Sequence, residues 1–193
     1  MKHLKILIIL IFAIGCNNTL PEIDSLKGEN YNLLDQDSTL IHYPEIFKGE
    51  VLVVGYIFTN CPDICPLTTN NMNLVYQKLK EEGLNGVRFV AISFDPDFDR
   101  PYVLKQYMKV RNIADKNWTF ITGNKTEITK LMKRNEIFYV PSDSTVLASG
   151  KKMYFFVHTD RISLYDRDLN LRKNYPGSTL NIDEIIKDIK TIR

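Results

Sequence analysis

Two cysteines separated by three residues, in Cys61-Pro62-Asp63-Ile64-Cys65-Pro66, are the side chains of this sequence best equipped for chemistry. A thiolate is both a nucleophile and a metal ligand. Pro66 lacks an N–H and disfavours helical backbone in the residue before it, which predicts a helix beginning near Pro66 with Cys65 at its N-terminus. Unpaired amides and the helix dipole favour the thiolate there. Where such a segment curls into a turn, residues i and i+4 come within roughly 5–6 Å, a separation that suits a disulfide and equally suits shared ligation of one ion. Spacing leaves redox chemistry and metal binding both open.

Cys16, the third cysteine, has a different setting. Lys2 and Lys5 accompany an apolar run, Leu4 to Ile14, that is too short to span a bilayer and closes on Ala13-Ile14-Gly15-Cys16. This pattern reads as a secretory signal over residues 1–15. Its end resembles a bacterial lipobox, with Ala13 where leucine is usual, in which cleavage leaves the cysteine as a lipidated first residue; the alternative is an uncleaved anchor helix. The expectation is an exported domain, held by lipid at a bacterial membrane and facing the periplasm. Once Cys16 carries lipid, Cys61 and Cys65 can pair only with each other. A bridge closing so short a loop constrains the unfolded chain little, which weighs against a purely structural role.

The elements that must position the pair follow from periodicity. Val51 to Phe58 is a continuous apolar run, as in a strand buried on both faces, and Met72, Val75, Tyr76 and Leu79 place one face of a helix after the cysteines, closed near Gly83. Before them, residues 16–27 read as a polar tether and Tyr31 to Tyr43 as a hairpin turning at Gln36-Asp37-Ser38. Beyond them, Val87 to Phe94 is a second buried strand and Pro101 opens a helix. Trp118 to Ile121 is a third strand. Asn124 with Glu127, and Asn181 with Glu184, resemble capping boxes at two later helices. Tyr139 to Gly150 reads as a loop from its Ser, Asp, Pro and Gly content, and Met153 to Val157 as an apolar core strand ending at His158. Ile162 to Tyr165 pairs across a turn at residues 166–170. Strands alternating with helices predict one α/β domain over residues 28–193: a thioredoxin-like fold with a central mixed sheet flanked by helices and an N-terminal hairpin extension. In such a fold the loop after a late central strand brings His158 toward the cysteines.

Charge excludes one class of partner. The chain has 25 Lys+Arg and 23 Asp+Glu, and setting aside Lys2 and Lys5 leaves 23 of each. A neutral domain offers no phosphate-tracking surface, so nucleic acid is not an expected partner.

Several segments resemble the Sco/SenC family of copper proteins that serve cytochrome c oxidase assembly. Thr59 to Pro66 is similar to the family's TxCPDxCP signature. Ser93-Phe94-Asp95-Pro96 with Asp99 and Arg100 resembles its SxDPxRDTP segment, departing at Phe98 and Pro101. Trp118 to Gly123 is similar to WxxLTG, and His158-Thr159 with Leu164-Tyr165-Asp166 to the late HSxxxxLxD. The resemblance implies that Cys61, Cys65 and His158 hold one copper ion, as Cu(I) or Cu(II), with Asp63 tuning the site from outside the ligand set. It also implies delivery to the CuA site of cytochrome c oxidase, through subunit II or another recipient. The competing reading is a membrane-tethered thiol-disulfide oxidoreductase acting on partner cysteines, for which a CxxC pair is the commoner pattern. A peroxidase would need a more distant resolving cysteine. Met72, Met108, Met132 and Met153 read as core filling rather than as a copper site, and His42 as a surface residue.

Overall fold

The computed structural model describes residues 20–60, 64–113, 116–146 and 152–193. Its centre is an eight-stranded sheet in the order β1-β10-β9-β4-β5-β6-β2-β3. These strands are β1 (Asp24–Ser25), β2 (Tyr31–Asp35), β3 (Leu40–Tyr43), β4 (Val51–Ile57), β5 (Val87–Ser93), β6 (Trp118–Gly123), β9 (Ile162–Tyr165) and β10 (Asn170–Tyr175). A separate two-stranded ribbon is formed by β7 (Tyr139–Val146) and β8 (Lys152–His158). The helices are α1 (Ile64–Glu81), α2 (Pro101–Val110), α3 (Lys125–Arg134) and α4 (Ile182–Ile192).

Every residue of β4 is buried. The cause is position: β4 runs parallel to β5 on one side and antiparallel to β9 on the other, so both its edges are paired, and α1 covers a face. An apolar run with no alternation suits such a strand. The contact with α1 is close, since a Cβ built on Gly55 would lie 2.5 Å from Met72 Sδ. Glycine at this point of β4 lets the buried Met72 approach the sheet. Met72, Val75, Tyr76 and Leu79 form the buried face of α1, as their spacing predicts. Asn124 Oδ1 accepts from Glu127 N at 2.9 Å and Asn181 Oδ1 from Glu184 N at 3.2 Å, so both predicted caps form. The hairpin β2–β3 joins the main sheet through β6.

Four expectations are corrected. The helix begins at Ile64, two residues ahead of Pro66; a proline in the first turn forfeits only an N–H that lacks an intrahelical partner. The tether ends sooner than composition implies: β1 pairs with β10, Leu26 is buried, and Ile23 N donates to Leu171 O at 2.8 Å. Residues 139–146 are a strand, not a loop. Turn-forming residues in its middle are absorbed by a register shift between Pro141 and Ser144, while Tyr139, Val140 and Val146 pair with β8. Finally, the strand ending at His158 is not central. It belongs to the ribbon, where Val157 is 58% exposed and Tyr154, Phe155 and Phe156 are only partly buried. Its apolar composition serves one face packed on aromatics, not two faces of a sheet.

Candidate metal centre

Cys65 lies in the first turn of α1 and is buried. The end of β4 holds it, because Phe58 N donates to its Sγ at 3.4 Å. That N–H and the helix N-terminus both favour negative charge on sulfur. Thr69 Oγ1 donates to the Cys65 carbonyl at 3.0 Å, tying the first turn down one turn later.

His158 reaches the same place from the end of β8. Its Nε2 lies 3.7 Å from Cys65 Sγ. Its Nδ1 is 3.0 Å from the Thr159 carbonyl, an acceptor that selects the tautomer with the proton on Nδ1 and leaves the Nε2 lone pair facing the sulfur. The ring packs on Phe94 and Phe58, at centroid distances of 5.0 and 6.0 Å. Beyond it the chain is pinned on both sides. Thr159 N donates to Phe138 O, and Thr159 Oγ1 accepts from Phe138 N. Asp160 accepts from Ser178 N and Oγ and from Thr68 Oγ1 of α1. A Cβ on Gly177 would meet Asp160 Oδ1 at 2.5 Å, so that close approach requires glycine.

Thiolate and imidazole bind a first-row metal at roughly 2.3 and 2.0 Å, so donors of one ion stand about 3.5–3.8 Å apart at tetrahedral to trigonal angles. The 3.7 Å separation of Sγ and Nε2 fits that requirement. Among the described residues no cluster of three or more His, Cys, Asp and Glu side chains could hold a metal. Cys61 and Asp63 lie outside the described residues, as do Cys16 and any Cys61–Cys65 bridge. His42 is exposed, and Met72, Met108 and Met132 are buried in the core.

Spacing and periodicity in the sequence give no role to the supports around the pair. Asp99, fully buried between β5 and α2, accepts from Thr59 N at 2.9 Å, from Thr59 Oγ1, and from Ser93 Oγ at 2.5 Å. Asp95 accepts from the Tyr154 hydroxyl. Only the SxDPxRDTP resemblance marked either aspartate, and periodicity marks neither.

Burial pushes the Asp99 carboxyl up from 3.8 to about 6, against the opposing hydrogen bonds from Ser93 and Thr59. Its ionised form is therefore costly in the folded chain. The favourable contribution is fully present below the unfolded value and is lost as pH rises through about 6, amounting to about 3 kcal/mol. Asp24 and Glu29 run the other way, since Arg134 holds both carboxyls down and their contribution is lost only on acidification below their ordinary range. Those contributions cancel when the protein is compared with Asp99→Asn. Between about pH 4 and pH 7 the unfolding free energy of the unmodified protein should fall by about 3 kcal/mol relative to that variant. Denaturant titrations at each pH give the difference, and a flat difference would refute the assignment.

The SCO1/SenC family model matches residues 21–193. The chain is 29% identical over 194 residues to the SCO1 protein homolog of Bacillus subtilis (strain 168), covering 99% of this chain and 96% of that protein. Among solved structures it is similar to BsSco, a member of the Sco family of cytochrome c oxidase assembly proteins in which a disulfide switch was identified. The TM-score is 0.70 at 28% identity, over 90% of this chain and 97% of that one. Bradyrhizobium japonicum ScoI with copper bound shares the fold at 23% identity, with a TM-score of 0.69 over 85% of this chain and 98% of that one. The architecture is thus the thioredoxin-like one of Sco proteins. With a family model that spans the sheet, the cysteine pair and His158 together, the chain belongs to the SCO1/SenC family.

Proposed function

We propose that this protein binds one copper ion through Cys61, Cys65 and His158 and serves cytochrome c oxidase assembly by passing copper to the CuA site on subunit II. The observation that carries the reading is the approach of His158 Nε2 to Cys65 Sγ at 3.7 Å, with Nδ1 turned to a backbone carbonyl. Two thiolates favour Cu(I), and imidazole suits copper in either state. Three protein donors also leave the ion open to a recipient's ligands, whereas structural zinc sites almost always take four. An aromatic wall of Phe58, Phe94 and Phe156 limits water at the pair.

Ligation requires both thiols reduced, so a Cys61–Cys65 disulfide formed after export would have to be opened before copper enters. The disulfide switch of BsSco favours this coupling. Cys16 as a lipidated first residue would hold the domain at the membrane, and the mass of the mature N-terminus reads that directly. Anaerobic titration of the reduced protein with Cu(I) should saturate at one ion per chain, with sulfur and nitrogen neighbours in X-ray absorption. A reduced protein that takes up no copper, yet exchanges disulfides with a dithiol partner, would instead establish the oxidoreductase reading.

A further inference from the structure

The buried carboxylate of Asp99 has no ion-pair partner among the described residues, although its side chain is entirely sheltered from solvent. Its two oxygens collect three donors from two separate segments of the chain. Both donors of Thr59 point to it, Thr59 N to Oδ2 and Thr59 Oγ1 to Oδ1. Thr59 stands two residues before Cys61 and one after Phe58, whose own N–H donates to Cys65 Sγ. Thr59 opens the turn that follows β4, one residue after Phe58. Locking its amide and hydroxyl onto Asp99 therefore restricts the backbone on which the Phe58 amide meets the sulfur. The preceding peptide is held as well, because Phe94 N donates to Ile57 O at 3.0 Å.

The same carboxylate connects to the histidine side. Ser93 Oγ donates to Asp99 Oδ2 and accepts from Asp95 N at 3.1 Å, and the Asp95 carboxylate accepts from Tyr154 on β8. Tyr154, Phe156 and His158 alternate along β8 and all pack against Phe58. One hydrogen-bonded run thus joins the strand end that holds the thiol to the strand that carries the imidazole. We propose that Asp99 is a positioning residue for the metal centre, which sets the cysteine side against His158 through Thr59 on one side and Ser93, Asp95 and Tyr154 on the other. This rests on the copper reading of the site.

The test compares Asp99→Ala, Asp99→Asn, Thr59→Val and Ser93→Ala with the unmodified protein. Readouts are Cu(I) affinity by chelator competition, the Cu(II)–thiolate absorption band, and amide exchange at Phe58 and Thr59 in the metal-free reduced protein. Asp99→Ala should weaken copper about 10–100-fold, the range for loss of a supporting contact, and shift the thiolate band. It should also speed exchange at both amides at least about tenfold, while exchange in β5 stays unchanged. Asp99→Asn keeps the shape, since its oxygen can take the Thr59 and Ser93 donors and its NH2 can face Thr59 Oγ1, and it should recover affinity to within a few-fold. An Asp99→Ala protein with unmodified affinity and exchange overturns the proposal. So does an Asp99→Asn protein as weak as alanine, because charge rather than positioning would then matter. Should Asp99→Ala fail to fold, Thr59→Val and Ser93→Ala carry the test: each should lose affinity several-fold, and two unchanged variants overturn it. If the unmodified protein binds no copper, the copper reading fails, and amide exchange at Phe58 still decides whether Asp99 orders the thiol's donor.

Discussion

Cys65→Ser should lower Cu(I) affinity by more than about 100-fold, beyond the range for losing a supporting contact, because a soft ligand is replaced by a hard hydroxyl at the sulfur 3.7 Å from His158 Nε2. The smaller serine would still fit beside the Phe58 amide, and its carbonyl would still accept from the Thr69 hydroxyl, so the fold should persist. His158→Ala separates the two copper states. Removing imidazole should weaken Cu(II) by more than about 100-fold while two thiolates still retain Cu(I), and the cysteine pair should remain able to cycle. Chelator competition under anaerobic and aerobic conditions measures both affinities. If His158→Ala binds Cu(I) and Cu(II) as the unmodified protein does, the imidazole is not a ligand and thiol exchange becomes the leading function.

Phe58→Ala should cost about 3–5 kcal/mol, the range for emptying a buried phenylalanine site. Phe58 is 1% exposed and its ring meets Phe156 at 5.0 Å, Phe94 at 5.4 Å and His158 at 6.0 Å. Its ring partners come from two separate places, β8 and the residue that follows β5, so no single side chain can move in to fill the space. The loss should extend to the site, since the same ring faces His158 and the shorter side chain leaves the imidazole free to tilt. Phe58→Leu, which preserves most of the volume, should cost much less. Urea unfolding reports the stability and copper competition reports the site. A Phe58→Ala protein within about 1 kcal/mol of the original would show that the aromatic cluster collapses around the gap and is not the support described here.

Local pattern was enough where a segment's surroundings are uniform. The unbroken apolar run of β4, the i, i+3, i+4, i+7 face of α1 and the side-chain caps Asn124 and Asn181 each express one interaction that repeats or closes within a few residues, so local sequence was enough to fix them. It also determined the position of Cys65, because Pro66 restricts where a helix can begin, even though the helix starts two residues earlier at Ile64. Long-range pairing decided the rest. Residues 139–146 carry the composition of a loop and become a strand because β8 lies alongside to satisfy their backbone. Residues 24–25 look like tether and become an edge strand because β10 offers a free edge. The placement of His158 is the clearest case. An apolar strand reads the same whether it lies at the centre of a sheet or on a ribbon with one face against aromatics. Only the packing of Phe58 and Phe94 against the ribbon brings Nε2 to within 3.7 Å of a sulfur 93 residues earlier in the chain. The hold of Asp99 on Thr59 spans 40 residues and follows no period. Tertiary contacts placed that charge, because the stability of a buried carboxylate depends on donors brought together from the turn after β4 and from β5.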